Sequence, residues 1–145
     1  MWTSHRNRLL RVLLYIWVLP NSLIGLSLGV AGVMSGGKCQ VKRGCLEFYG
    51  GFVTWLLSRI GMGPGVLAMT LGHTIIGQNR DGLQTARDHE QVHVRQYECW
   101  GPLFIPAYLA CSAVLWFQKK DVYRDNPFEV EAYRIADPHP PDEKA

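Results

Sequence analysis

Apolar and polar positions divide the chain into blocks of different period. Residues 9 to 34, LLRVLLYIWVLPNSLIGLSLGVAGVM, are mostly apolar, broken by Arg11 and by Pro20, Asn21 and Ser22. At 1.5 Å per residue a helix of this length crosses a bilayer core of about 30 Å with some tilt. Glycines at 36, 37, 44, 50 and 51 then punctuate KCQVKR and CLEFYG, which predict two short strands joined by a turn. FVTWLLSRI, residues 52 to 60, fits a short helix or a strand equally, and GMGPG is a break. VLAMTLGHTIIG, residues 66 to 77, predicts a strand pair or a bent strand. From Asp81 the period becomes helical, with Asp81 and Gln84 as a capping box and Gly101–Pro102 as the stop. A second apolar run, LFIPAYLACSAVLWF at 103 to 117, is short for a crossing. Asn126 and Pro127 open a last helix, FEVEAYRIA, and DPHPPDEKA has the composition of a disordered tail.

These blocks predict a basic start and membrane anchor over 1–36, one small α+β domain over 37–137, and a tail over 138–145. His5, Arg6, Arg8 and Arg11 precede the apolar run without an acidic residue, which places the N-terminus in the cytoplasm and the domain on the periplasmic or extracellular side. A cleaved signal shares this pattern; the length of the run and the lack of a small-x-small site favour a retained anchor. Gly25 and Gly29 have G-x-x-x-G spacing, which in so glycine-rich a run does not by itself indicate a helix dimer. Fifteen Lys and Arg against twelve Asp and Glu, scattered along the chain, give no basic patch, and nucleic acid is not an expected partner. Cys39, Cys45, Cys99 and Cys111 form no C-x-x-C pair; Cys39 and Cys45 flank a tight turn and are either a disulfide or two free thiols.

The chemistry concentrates in RDHEQVHVRQYECWGP, residues 87 to 102, where His89, Glu90 and His93 stand as H-E-x-x-H. Residues four apart share a helix face, so both imidazoles can meet one ion. Glu90 is turned by about 100°, beside the metal, where it can take a proton from water. Apolar residues in VHV and YECW imply packing on several sides, and buried imidazoles and carboxylates need partners that a metal would supply. Catalytic zinc has three protein ligands and an open position. Glu98, Glu129, Glu131, Asp137, His73 and His139 are candidates for the third ligand; spacing alone does not choose between Glu129 and Glu131, and Asn126 with Glu129 also matches a capping box.

HEQVHVRQYE followed by FEVEAYRIA resembles the gluzincin zinc peptidases, in particular the membrane-bound group of prenyl-protein and heat-shock proteases, whose second helix carries E-x-x-A-D or E-x-x-x-D. AMTLGHTIIG ahead of H-E-x-x-H-x-x-Q is similar to the peptidase-like core domain of extracellular contractile injection systems. The likeness covers about half the chain. It implies a zincin-like domain: a short antiparallel sheet, an H-E-x-x-H helix and a C-terminal helix carrying the last ligand. It makes His89 and His93 zinc ligands, Glu90 the general base and Glu129 the third ligand, with Glu131 in reserve. Tyr133 stands where the membrane group has a supporting Asp, and Gln96 follows the ligand face. His73 or Tyr97 would assist an oxyanion, and the strand over 70–76 would pair with an extended peptide substrate. The expected activity is peptide-bond hydrolysis by a membrane-anchored zinc enzyme; the alternative is a non-catalytic membrane protein that keeps the fold as a binding or assembly module. Sharing one ion also requires that residues 103–117 do not cross the bilayer once, leaving a buried core helix or one that enters the membrane and returns.

Overall fold

The computed structural model describes residues 8–60 and 66–136. The break at GMGPG, the basic residues before Arg8, the tail, and the candidates Asp137 and His139 lie outside them. In chain order the elements are α1 (Arg8–Met34), β1 (Lys38–Lys42), β2 (Cys45–Tyr49), α2 (Phe52–Arg59), β3 (Ala68–Leu71), β4 (Thr74–Gly77), α3 (Arg80–Trp100), a 3-10 turn (Gly101–Leu103), α4 (Phe104–Phe117) and α5 (Pro127–Ala136).

The sheet is mixed, in the order β1-β2-β4-β3. Two antiparallel hairpins are joined by a parallel pairing of β2 with β4, so the expectation of a purely antiparallel sheet is corrected. The reason lies in β4: every residue of TIIG is buried, and a strand apolar on both faces belongs in the interior of a sheet. The α2 crossover between β2 and β3 makes that position reachable. The β1–β2 turn uses Arg43 and Gly44, both at positive φ, which matches the twist of a two-residue hairpin. The register sets Cys39 opposite Phe48 and Cys45 opposite Lys42; all four cysteines are free, Cys45 buried and Cys39 exposed.

Alternation along the strands sends one set of side chains to each face. Cys45, Ala68 and Ile75 pack with Leu83 and Val94 of α3. Phe48, Leu71 and Ile76 pack with Val53 and Leu57 of α2. The buried Glu47 carboxylate reaches Arg87 at 2.9 and 3.0 Å and Gln40 at 2.7 Å, which ties α3 to β2; a charge without these partners would be strongly unfavourable there.

α1 lies across the α2 face of the sheet. Its buried residues are Val18, Asn21, Gly25, Gly29 and Gly32. A Cβ on Gly25 would meet Leu71 and Thr74, and one on Gly29 would fall in the Phe48 ring. The G-x-x-x-G spacing is therefore a packing groove for the chain's own sheet. Gly29→Ala should destabilise the fold by about 1–3 kcal/mol through overpacking, read as a lower denaturant midpoint; an unchanged midpoint would contradict this contact. Polar bonds reinforce the contact: Tyr15 Oη donates to Gly44 O at 2.6 Å, Asn21 Nδ2 to Gly101 O at 2.9 Å, and the His73 amide to Ser22 Oγ at 2.9 Å.

α3 begins earlier than expected. Asn79 is its cap, the side chain accepting from Gly82 N at 2.7 Å, and Asp81 falls in the first turn, where its charge suits the positive end of the helix. Gly101, at φ +55, ends α3 as predicted, with the Trp17 ring against it. α4 is not a buried core helix: only Phe104 and Leu115 are buried, while Leu109, Val114, Trp116 and Phe117 are exposed. Helix α5 then returns to pack against α3.

Candidate metal centre

Three elements bring the site together. α3 supplies His89, Glu90, His93 and Gln96 from consecutive turns, β3 supplies Thr70, and α5 supplies Glu129. α5 starts where predicted: the Asn126 side chain caps Phe128 N at 3.1 Å and donates to Tyr108 O and Ser112 Oγ of α4 at 3.1 and 2.9 Å. These bonds hold the return segment to α4 and aim Glu129 at α3. Glu129 is not the acceptor in a capping box; its carboxylate is directed at His89 and at Tyr108.

His89 Nε2, His93 Nε2 and Glu129 Oε2 form a nearly equilateral triangle. The edges are 3.1 Å between the two nitrogens, 3.0 Å from His89 to Glu129 and 3.3 Å from His93 to Glu129. A tetrahedral zinc ion with bonds of about 2.0–2.1 Å spaces its ligand atoms by about 3.3 Å. Two nitrogens and a carboxylate oxygen, mutually at that spacing, fit the donor set of a catalytic zinc site. Burial alone would raise the Glu129 carboxyl, but hydrogen bonds with His89 and His93, the charge of His93 and the Tyr108 hydroxyl outweigh it and hold it down at about 2.

Gln96 has a defined job. Its Nε2 donates to Phe128 O at 3.0 Å and to Glu131 Oε2 at 2.8 Å, so its Oε1 is the atom left facing His93 Nδ1, at 2.8 Å. With a metal on the triangle, His93 would keep its proton on Nδ1 and turn the Nε2 lone pair to the ion, the arrangement that orients a ligand imidazole. Glu131 is thus brought to the site through Gln96 and lies outside the triangle. Gln96→Leu should lower zinc affinity by about 10–100-fold, read by competition with a chelating dye; unaltered affinity would remove Gln96 from this role. On His89 the matching support is absent: its Nδ1 is buried without a hydrogen-bond partner among the described residues, and Tyr133 packs its ring 4.4 Å away and bonds Tyr123 Oη instead.

Glu90 is 5% exposed, and its Oε2 accepts from Thr70 Oγ1 at 2.6 Å. With Thr70, His93, Tyr108, Tyr123 and Glu129 it lines a cavity of about 180 Å³ between β3 and α4. The other candidates separate. His73 sits at the β3–β4 turn, bonded to Glu98 at 3.1 Å and stacked on Tyr15, so neither His73 nor Glu98 joins the triangle. Tyr97 lines the same cavity, but its hydroxyl is given to Thr70 O at 3.1 Å. The edge strand beside the site is β3, Ala68–Leu71, rather than residues 70–76, because β4 lies inside the sheet; β1 is the outer strand on the far side. Sequence reasoning did not find Thr70, Tyr108 and Tyr123. Thr70 was visible as the middle of A-x-T-x-G, but its contact with Glu90 depends on the strand lying against α3, and nothing local marks the two tyrosines.

Among the described residues, two helical stretches are long and apolar enough, by length and composition, to cross a membrane: Arg8–Met34, and Arg80–Phe117, in which α3 leads through the 3-10 turn into α4. Compared with known proteins, the chain matches no family model, no curated protein and no solved structure, so the meaning of the His89, His93 and Glu129 triangle rests on its own geometry.

Proposed function

We propose that the chain is a membrane-associated, zinc-dependent peptidase of the gluzincin kind. The observation that carries this reading is the triangle of His89, His93 and Glu129, two of whose members, His93 and Glu129, line one cavity with Glu90. A zinc ion on those three atoms would supply Lewis-acid polarisation of a substrate carbonyl and lower the pKa of a water to about 7. Glu90, oriented by Thr70, takes the proton as the water oxygen adds to the carbonyl carbon. It returns that proton to the nitrogen as the C–N bond breaks, leaving an amine and a carboxylic acid, which then gives up the second water proton to become a carboxylate. Tyr108 and Gln96 keep Glu129 and His93 in place throughout.

The purified chain is expected to hold zinc and to cleave a denatured protein in a reaction that stops with a chelator and returns with zinc. Cleavage indifferent to the chelator, or a zinc-free chain after incubation with the metal, would sink the reading. A second reading, a zincin-like binding or assembly module, draws on the cavity volume of about 180 Å³, below the roughly 300–1,000 Å³ of many ligand sites. It predicts bound zinc without turnover.

The packing of α1 bears on how the chain would sit at a membrane. The helix contacts all four strands of the sheet, and the outer strands β1 and β3 are open edges. Open edges are not tolerated in hydrocarbon, so a crossing α1 would drag the sheet, with Lys38 and Lys42, to membrane depth. We therefore favour α1 lying lengthwise in one leaflet, its outward Leu13, Ile16, Leu23 and Val30 in lipid. Epitope tags at the two ends should then be digested from the same side of sealed vesicles; protection of one tag alone would restore the crossing anchor with a cytoplasmic N-terminus.

A further inference from the structure

The groove between β3 and α4 has a lining that selects its occupant. Leu71 pairs with Thr74 across the turn, and Gln78 N donates to Leu67 O at 2.9 Å. Antiparallel strands alternate bonded and non-bonded pairs. Leu67, Met69 and Leu71 therefore turn their main-chain groups to β4, and Ala68 and Thr70 turn theirs outward, towards the groove. Tyr97 Oη bonds the outward Thr70 carbonyl, in keeping with that alternation.

The opposite wall is α4, whose sequence FIPAYLACSAVLWF is apolar around its whole circumference. Helices of that kind are buried in protein or in lipid, yet α4 buries only Phe104 and Leu115. Val66, Met69, Ile105 and Leu109 line the groove, and among the described residues its charged or titrating groups besides tyrosines are Glu90, His93 and Glu129. Glu90 is held by Thr70, and Glu129 by His89, His93 and Tyr108, so a charged side chain seated along Val66, Met69, Ile105 and Leu109 would lose its hydration without gaining a partner.

We propose, resting on the peptidase reading, that the groove takes an extended, uncharged, apolar polypeptide segment. The segment adds as a strand to Ala68 and Thr70, seats its side chains against Met69, Ile105 and Leu109, and is laid past Glu90. The exposed outer flank of α4 lets such a segment arrive from the hydrocarbon phase rather than from water.

The test separates binding from cleavage. Full-length Glu90→Gln protein is placed in phosphatidylcholine–phosphatidylglycerol bilayers and titrated with two labelled peptides of equal length, one of Leu, Val and Ala, the other with those positions changed to Asp, Lys and Ser. Bilayers without protein correct for partitioning. The apolar peptide should bind about tenfold tighter or more, and Leu109→Glu, at an exposed position, should erase that preference while zinc content and circular dichroism stay unchanged. Equal binding of the two peptides, no binding, or a preference that survives Leu109→Glu overturns the proposal. Selective binding without cleavage by the unsubstituted protein overturns the peptidase reading and leaves the groove's selectivity standing.

Discussion

Glu90→Gln is expected to leave the zinc content unchanged and to reduce peptide hydrolysis by about 10²- to 10⁴-fold, the range associated with losing a general acid–base. Glu90 contributes no atom to the ligand triangle, so the metal does not depend on it. A glutamine of the same shape can still accept from Thr70 Oγ1, which keeps the local packing. What it cannot do is take a proton. The measurement is the initial rate on a quenched peptide alongside zinc per chain. A rate equal to that of the unsubstituted protein, with zinc still bound, would mean that the cavity hosts no hydrolysis driven by Glu90.

Glu129→Gln should have the largest effect on the metal. It replaces the one anionic ligand, leaving two imidazoles, and the expected loss of zinc affinity exceeds the roughly 100-fold upper range seen when only an outer support is removed. Helix α5 should stay folded, because Asn126 and not Glu129 caps it and Phe128 and Ala132 remain buried. Zinc that binds only the folded state stabilises it by about 2.7 kcal/mol at a hundred times its dissociation constant. Titrating zinc into the unsubstituted chain should therefore raise its melting temperature, and the same titration should move Glu129→Gln little. An equal shift in both proteins would place the metal elsewhere. The depressed Glu129 pKa sets the direction with acid: the favourable pairing of its carboxylate is present above the ordinary carboxylate range and is lost as the pH falls towards about 2.

Much of this architecture was legible from local pattern. H-E-x-x-H needs only helical spacing to turn His89 and His93 to one point, and the Gly101 stop and the Asn126–Pro127 start are short-range signals that tertiary packing did not override. Start signals two residues apart compete, however, and Asn79 outdid Asp81 because its side chain reaches Gly82 N. The four-strand sheet was legible as one hairpin followed by a strand pair or a bent strand, but not as one mixed sheet. Parallel pairing of β2 with β4 is a long-range choice, made because β4 is apolar on both faces and has to be interior.

The sequence by itself determined the residue types of the candidate metal centre, the helix that bears two of them, and the apolar character of α1 and α4. Only the tertiary structure decided between Glu129 and Glu131, which sit two residues apart on α5. That spacing turns a helix by about 200°, so the two carboxylates leave in different directions. One completes the triangle and the other anchors Gln96. It also decided that α1 is packed on the sheet, since a glycine stripe reads alike whether it faces a second helix, lipid or the chain's own Phe48. Side-chain identity sets what chemistry a position can perform, whereas which groups share one ion depends on contacts between residues far apart in sequence.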